Sequence, residues 1–424
     1  MGAFIGLVAF LAMSFTTSDI QAEVVLTADK TVEVAVKDTY NDGDGKTDYT
    51  SSVEDGVTLT FNVNHSTEPI HAGIISGNIS LVIDFDVESP TNSTRFKISS
   101  TSNSFTGPIT VNNGILNFTN GEKCLGKSPL ITLNKATLMG GGTINQNLYL
   151  GEDFGALRAS GGTLTIDGQI SGSNLLIDCD GSTVLLRNIN NNYTGITNIG
   201  YKISGNIWNS AAYLKIGANE VLPDTTVVLL GVDYFTKEER KGSDLNLNGF
   251  TETIAGLVGV GKLVNGATTD ATLNIATNTK STDGFYTTYA TETEGYNFTG
   301  PIGVADKGLL TINISGDGTQ ILGGSFTNAA VSVSDTATLS FGTNTDVKTL
   351  NGLSVANGAT LKATDNATIS VDEDVNLSGA LSTNARCYMT DTESIYTETL
   401  LLVNDDGSVS LKMQPNSFAP VEFE

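Results

Sequence analysis

The sequence of 424 residues is poor in basic side chains and in histidine. Lys and Arg together number 22 against 46 Asp and Glu, which gives a formal net charge of −24 at pH 7. A surface of that sign repels phosphate backbones, so the composition argues strongly against a nucleic-acid partner. The two histidines, His65 and His71, lie six residues apart with no cysteine nearby, and this arrangement does not predict a metal pair.

Cysteine is also scarce. The three cysteines, Cys124, Cys179 and Cys387, are too few and too far apart in sequence for a disulfide framework or a zinc knuckle. A single disulfide between Cys124 and Cys179 stays open as an alternative. The simpler interpretation is that all three are small buried apolar side chains.

Long apolar runs are absent except at the N-terminus, where residues 3–15 are apolar or small. This run is shorter than the roughly 20 residues that a membrane-spanning helix needs. A polar stretch and Ile20-Gln21-Ala22 follow it, so residues 1–22 are predicted to be a signal peptide cleaved after Ala22. The basic residues that usually precede such a run are missing, and a buried N-terminal strand is the alternative. We expect an exported mature chain without a transmembrane segment.

Helical periodicity is nearly absent, whereas short segments alternate apolar and polar residues with a period of two. Examples are residues 130–133, 162–166, 270–275 and 331–334, and Asn-Gly or Gly-Gly turn signals separate such segments. Alternation of this kind predicts half-buried β-strands. Because 39% of the residues are apolar, the chain can bury a core. The sequence therefore predicts an all-β protein, either a sandwich, a barrel or a solenoid.

A recurring segment distinguishes these three architectures. An aromatic residue followed by Thr-Gly and then a strand pattern occurs at residues 105–107, 193–195 and 298–300. Thr106 and Thr194 are 88 residues apart, which equals four intervals of 22, close to one coil of a right-handed parallel β-helix. The interval from Thr194 to Thr299 is 105 residues, so insertions are expected between these copies.

We therefore predict a right-handed parallel β-helix, a solenoid, over residues 101–380. Residues 23–100 form a β-rich N-terminal region or cap in this interpretation, and residues 381–424 form a C-terminal cap or a truncated end. Caps are expected because an open sheet edge invites aggregation.

The segment from residue 192 to residue 266 carries a family resemblance. It contains Asn-Tyr-Thr-Gly at 192–195, Tyr-Leu-Lys-Ile-Gly-Ala-Asn at 213–219 and Thr-Ile-Ala-Gly-Leu-Val-Gly-Val-Gly at 253–261. In this order the pieces resemble the autotransporter-associated beta-strand repeat of bacterial surface proteins, and a looser match extends over roughly residues 100–380. The resemblance implies an exported right-handed β-helix, displayed on or released from a Gram-negative-type cell surface. It implies no catalytic residues, since the family shares none.

Three predicted insertions carry aromatic residues and are the candidate ligand-binding sites. They cover residues 201–212, 233–243 and 278–295. Exposed aromatic rings stack on sugar rings while neighbouring polar groups bind the hydroxyls. The alternative is that these loops fold their rings onto the edge of the solenoid. The candidate residues are Trp208, Tyr234, Phe235, Tyr286 and Tyr289.

An acidic, glycine-containing segment at residues 38–48 resembles a calcium-binding loop. Asp42, Asp44 and Asp48 would supply hard oxygen ligands, and Gly45 would permit the sharp turn. The spacing departs from the usual one because Tyr40 occupies the first ligand position. The favoured interpretation is a plain acidic hairpin turn and no cofactor, with calcium binding by these carboxylates as the alternative.

Pairs of carboxylates two residues apart occur at Asp178/Asp180, Asp84/Asp86 and Asp372/Asp374. A glycosidase uses two carboxylates at comparable separation. An enzyme acting on uronates would need a basic cleft, however, and the five arginines are scattered along the chain. The sequence favours a non-enzymatic surface or secreted protein, adhesin-like or structural, that binds glycans or cell-surface proteins. The alternative is a β-helical lyase or glycoside hydrolase, which would place such a pair in a groove beside Arg or Lys.

Overall fold

The computed structural model describes residues 23–35, 47–64, 68–86, 91–118, 121–178, 180–203, 211–277, 290–291, 295–341, 348–362, 368–377, 380–382, 386–389, 397–403 and 409–415. The fold is all-β, as the alternation predicts, with one short 3-10 helix at Gly121–Leu125. Within these ranges no helix has the length and apolar character needed to cross a membrane.

The strands are short, and their bounds follow the alternating segments of the sequence. They are β1 (Glu23–Val25), β2 (Lys30–Ala35), β3 (Asp48–Ser51), β4 (Val57–Asn64), β5 (Ile70–His71), β6 (Ile75–Gly77), β7 (Ile79–Phe85), β8 (Arg95–Ile98), β9 (Ile109–Asn112), β10 (Ile115–Phe118), β11 (Leu130–Asn134), β12 (Ala136–Ile144), β13 (Asn147–Ile166), β14 (Ile170–Asp178), β15 (Thr183–Leu186), β16 (Ile196–Tyr201), β17 (Tyr213–Ile216), β18 (Val227–Leu230), β19 (Asp244–Asn246), β20 (Thr251–Ile254), β21 (Gly256–Gly259), β22 (Lys262–Val264), β23 (Ala271–Thr277), β24 (Ala290–Thr291), β25 (Gly295–Phe298), β26 (Leu310–Gly316), β27 (Thr319–Leu322), β28 (Ala329–Val333), β29 (Thr338–Ser340), β30 (Lys348–Val355), β31 (Thr360–Lys362), β32 (Thr368–Leu377), β33 (Ala380–Ser382), β34 (Arg386–Met389), β35 (Thr397–Val403) and β36 (Val409–Pro415).

Most strands pair in parallel with the strand about one repeat away in sequence, which builds long ladders. Ladder 1 runs β2–β4–β7–β9–β11 and on into β13 and β14. Ladder 2 runs β8–β10–β12–β13–β14–β16–β18–β21. Ladder 3 runs β12–β13–β15–β17–β19–β22. Ladder 4 runs β20–β23–β26–β28–β30–β32–β34.

Strand β13 shows how one stretch of chain contributes to three ladders. Its first residues, 147–150, pair with β11 in ladder 1. Residues 155–159 pair with β12 in ladder 2, and residues 164–166 pair with β15 in ladder 3. Glycine marks one bend of the path, because the pairing of β12 shifts register between Gly140 and Gly142, and Gly142 has a φ of 89°.

The predicted interval of 22 residues recurs locally, but the three aromatic-Thr-Gly copies lie at different positions along the ladders. Ile115 pairs with Thr137, an offset of 22 residues, whereas Ile131 pairs with Leu148, an offset of only 17. The first aromatic-Thr-Gly copy precedes β9 in ladder 1, and the second precedes β16 in ladder 2. The third begins at Phe298, the last residue of β25, and precedes Ile302, which bridges to ladder 3 at Leu263. Unequal segment lengths between bends shift the motif from one ladder to the next.

One apolar core runs along the inside of these ladders, from Leu26 to Val371. Ladder 1 crosses the predicted boundary near residue 100, because Leu81 of β7 pairs with Ile109 of β9. The region 23–100 therefore shares its sheet and its core with the residues that follow. Parallel pairing gives way to antiparallel pairing at β34–β35–β36, where Cys387 lies opposite Leu401.

Two of the residues singled out in the sequence belong to this core. His71 is buried, and its ring centroid lies 5.7 Å from that of Tyr49 and 5.1 Å from that of Phe61. Cys124 is buried as well, as its apolar character predicts. His65, Cys179 and the side chain of Cys387 lie outside the described part of the chain.

The outer side of ladder 2 is covered, although the outer side of ladder 1 is open. In β9 of ladder 1 buried and partly exposed residues alternate, whereas all four residues of β10 and of β18 in ladder 2 are buried. Two further apolar clusters form under this cover. They comprise Ile115, Met139, Phe154, Ala156, Leu176, Tyr201 and Ile203, and Ile196, Val227, Leu229, Val232, Val258 and Tyr296.

Candidate functional site

An aromatic patch lies at the edge of the covered side of ladder 2. We use this name for Phe154, Tyr201, Tyr234 and Phe235. The ring centroid of Phe235 lies 5.5 Å from that of Phe154, 5.9 Å from that of Tyr201 and 4.8 Å from that of Tyr234, each with steep interplanar angles. Phe154 and Tyr201 are buried, yet Phe235 is 56% exposed. Phe235 is thus an exposed ring supported by edge-to-face contacts on three others.

The turn that carries Phe235 is fixed by the carboxylate of Asp233. One oxygen, Oδ1, accepts hydrogen bonds from the backbone N–H of Phe235 (3.0 Å) and of Thr236 (2.7 Å). The other, Oδ2, accepts one from the N–H of Lys202 at 2.8 Å. Such Asx contacts stabilise a turn locally. The ring is therefore presented on a well-defined backbone.

A buried group of charged and amide side chains lies farther along the same side of ladder 2. We call Asn92, Arg95, Arg158, Asp178 and Asp180 the ion cluster. Nη1 of Arg158 lies 3.6 Å from Oδ2 of Asp178, and its Nε lies 3.6 Å from Oδ2 of Asp180. Nη1 of Arg158 also donates to Oδ1 of Asn92 at 2.7 Å, and Arg95 donates to the same oxygen.

Burial differs sharply among the charged members of the ion cluster. The side chains of Arg158 and Asp178 are 2% and 0% exposed, whereas that of Asp180 is 26% exposed. Burial and then the neighbouring Arg158 lower the pKa of Arg95, and the carboxylates of Glu68, Asp180 and Asp178 act in the opposite direction. The ion cluster reaches solvent at Asp180, and Asn92 and Arg95 are partly exposed as well.

Residues 201–203 connect the aromatic patch with the ion cluster. Tyr201 is the ladder partner of Asp178, and the backbone N–H of Ile203 donates to Oδ1 of Asp178 at 3.4 Å. The N–H of Lys202, between them, donates to Asp233 of the aromatic turn. Burial, and next the carboxylates of Asp178 and Asp233, raise the pKa of Tyr201, so its phenol keeps its proton at neutral pH.

The predicted aromatic candidates divide into two groups. Tyr234 and Phe235 are brought together in the aromatic patch, with Tyr234 partly buried against the covered side of ladder 2 and Phe235 exposed. Trp208, Tyr286 and Tyr289 lie outside the described residues.

Sequence reasoning missed Phe154, Tyr201 and Arg158. The sequence signal is weak, because Arg158, Thr197 and Asn198 interrupt the apolar residues of 154–159 and 196–201, although the structure buries every position of both segments. A continuous buried run indicates a strand covered on both sides.

Of the three predicted calcium ligands, Asp48 lies in the described part of the chain. Asp42 and Asp44 lie outside the described residues. Asp48 starts β3, and its Oδ1 accepts a hydrogen bond from the N–H of Ile74 at 2.5 Å. Among the described residues no group of three or more His, Cys, Asp and Glu side chains is arranged to hold a metal ion.

The predicted carboxylate pairs also occupy different environments. Asp178 and Asp180 both face Arg158 in the ion cluster. Asp84 lies on the open outer side of ladder 1, where its ladder partner is Asn112. The side chains of Asp372 and Asp374 lie outside the described part.

Comparisons with known proteins add no relative. No protein-family model matches the chain, and neither the curated proteins nor the solved structures give a match. The interpretation of the site therefore depends on its own geometry.

Proposed function

We propose that this chain is an exported, right-handed parallel β-helix of the passenger type that binds glycans through the aromatic patch. The long parallel ladders, the continuous core along their inner side and the path of β13 through three ladders support a solenoid. The apolar run at residues 3–15 and the resemblance to the autotransporter-associated repeat support export to a bacterial cell surface or to the medium.

The observation that carries the binding proposal is the exposed ring of Phe235. A large apolar side chain exposed at 56% on a defined turn gains free energy when a sugar face covers it. Because Phe154, Tyr201 and Tyr234 already hold the ring in place, little conformational entropy is lost on binding. A binding role needs only this platform and polar groups around it.

A glycan array with the full chain tests the proposal. We expect Phe235→Ala to reduce binding at least tenfold. The matched control is Tyr149→Ala, which removes another exposed ring, 45% exposed, from the ladder 1 part of β13. Arms with calcium and with chelator test the predicted loop at residues 38–48 as well. Equal losses in both variants, or binding only to proteins, would overturn a glycan-binding patch.

One observation favours a second candidate, a polysaccharide-degrading enzyme. Asp178 and Asp180 both lie 3.6 Å from Arg158, which is the neighbour that the sequence argument required for a lyase or glycosidase. Burial of Arg158 and Asp178 points instead to a positioning role for most of the ion cluster. Release of reducing or unsaturated ends from polysaccharides, abolished by Asp180→Asn, would replace the binding proposal with the enzymatic one.

A further inference from the structure

We propose that Asn357 is a modification site, at which the folded chain deamidates spontaneously to aspartate and isoaspartate. The inference goes beyond the proposed function and does not depend on it. The side-chain amide of asparagine is chemically labile, above all before glycine, which has no side chain to shield its peptide nitrogen. Six Asn-Gly pairs occur in the sequence, and the structure describes five of them.

The reaction needs only water. The peptide nitrogen of Gly358 attacks Cγ of Asn357 and loses its proton, and the side-chain nitrogen leaves as ammonia. Water then opens the resulting succinimide ring at either carbonyl, which gives aspartate or isoaspartate. For the ring to close, the peptide nitrogen must be able to approach Cγ, both groups must be free of other hydrogen bonds, and water must reach them. The five described pairs differ in these three requirements.

The turn that contains Asn357 meets all three requirements. Asn357 and Gly358 are both exposed, and the N–H of Ala359 closes the turn by donating to the C=O of Ala356 at 3.1 Å. Gly358 has a φ of 96°, whereas the φ of Asn357 is negative, as in a type II turn. Within the described part of the chain, neither the amide of Asn357 nor the N–H of Gly358 makes a hydrogen bond. One turn hydrogen bond therefore opposes the rotation that brings the nitrogen of Gly358 to Cγ.

Two other pairs have a backbone that keeps the reacting atoms apart. Asn113 and Asn248 have φ values of 57° and 52°, in the left-handed region. In that conformation Cβ and the following peptide nitrogen lie on opposite sides of the Cα–C bond, so Cγ cannot approach the nitrogen. In addition, the amide of Asn248 donates to the C=O of Ile216 at 3.2 Å, and the N–H of Gly249 donates to Oδ1 of Asn265 at 3.0 Å. Both pairs are therefore protected while the chain is folded.

The remaining two pairs are protected by burial and by strand pairing. Asn265 is buried, and its amide nitrogen donates to the C=O of Thr269 at 2.8 Å. The N–H of Gly266, which would have to attack, donates instead to Oδ1 of Asn246 at 2.9 Å. Asn351 lies inside β30, where the residues on both sides of it pair with β32. These contacts must break before either ring can close.

Peptide mapping of the full chain by mass spectrometry tests the proposal. The chain is incubated at mildly alkaline pH, folded in one arm and in denaturant in the other. In the folded chain we expect residue 357 to convert at least about tenfold faster than the protected sites, because their contacts must first break. The protected sites are Asn113, Asn248, Asn265 and Asn351. In denaturant the five rates should be similar, since each asparagine then precedes an equally accessible glycine.

Isoelectric focusing gives a second readout, because each conversion adds one negative charge to a chain of net charge −24. Asn357→Gln should slow the appearance of acidic bands, since glutamine would have to close a six-membered ring. The matched control is Asn190→Gln, which replaces an exposed asparagine that Asn191 follows, and it should leave the bands unchanged. Faster conversion at one of the protected sites in the folded chain would overturn the proposal. Equal rates of band formation in the two variants would overturn it as well, as would an Asn357 that converts only in denaturant.

Discussion

Ladders 1 and 2 have the same parallel pairing and face the same core, but their outer sides differ completely. In ladder 1 the outer residues, such as Thr110 and Asn112 of β9, are partly exposed to solvent. In ladder 2 the outer residues, such as Ile115 and Leu176, are buried beneath covering segments. The candidate site forms only at the edge of that cover. The parallel ladders are similar in structure, so a distinct candidate binding surface forms only where loops pack against them.

The two sides also satisfy their polar groups in different ways. On the open sides, amide side chains bond their neighbours along the ladder, as in Asn134 to Asn112 at 2.8 Å and Asn313 to Asn274 at 3.0 Å. On the covered side the buried charges of Arg158 and Asp178 must compensate each other. We therefore expect substitution of a polar side chain on an open ladder to cost little stability. On the covered side, removing one partner leaves a buried polar or charged group unsatisfied.

The largest effect is expected from breaking the ion cluster. Arg158→Ala removes the buried guanidinium that lies 3.6 Å from the buried carboxylate of Asp178, and we expect a loss of about 3–5 kcal/mol in the free energy of unfolding. Denaturant unfolding followed by circular dichroism measures it.

The exposed pair of Arg187 and Asp167 provides the control. Arg187→Ala should cost less than about 1 kcal/mol, because solvent screens an exposed ion pair. Similar losses in the two variants would contradict the distinction between covered and open sides.

The next effect depends on pH and concerns the core-facing side of ladder 4. Glu252 is fully buried, and its oxygens accept hydrogen bonds from the N–H of Leu222 at 2.9 Å and of Val221 at 3.1 Å. Burial raises its pKa from 4.5 to about 8, although these two hydrogen bonds lower it. Between those pH values the folded chain binds the proton and the unfolded chain releases it. Stability therefore falls as the pH rises through this window.

We expect Glu252→Gln to flatten this dependence, which amounts to about 1.4 kcal/mol per pH unit within the window. Thermal unfolding from pH 4 to pH 9 measures it. The exposed Glu54→Gln variant should keep the slope of the parent chain. A parent chain whose stability rises between pH 5 and pH 8 would contradict the buried position of Glu252.

Much of the fold could be predicted from local pattern, because alternation reports burial directly. Of the alternating segments 270–275 and 331–334, residues 271–275 lie in β23 and residues 331–333 lie in β28. The placement of the repeat copies in different ladders could not be predicted, since the number of residues between bends varies from one pair of strands to the next.

The site was predicted only in part. Tyr234 and Phe235 are visible as aromatics in an insertion, but their supports Phe154 and Tyr201 come from distant strands. The contact of Arg158 with Asn92 spans 66 residues. Gln320, whose amide bonds both the N–H and the C=O of Leu257, is another such case. Contacts of this range depend on register, which composition and spacing do not specify.

The smallest effects are expected when an asparagine is replaced by alanine on the open side of ladder 1 and, in a second variant, on the covered side of ladder 2. Asn134→Ala on ladder 1 removes a hydrogen bond to Asn112, but water replaces it, so we expect a loss below about 1 kcal/mol. Asn198→Ala on ladder 2 removes a fully buried amide that donates to the C=O of Leu229 at 3.1 Å and of Val232 at 2.8 Å. Those carbonyls would have no access to water, so a loss of about 1–3 kcal/mol is expected. Denaturant unfolding of the two variants measures both losses. Equal losses would mean that water reaches the outer side of ladder 2, and that the covering segments do not shape the site.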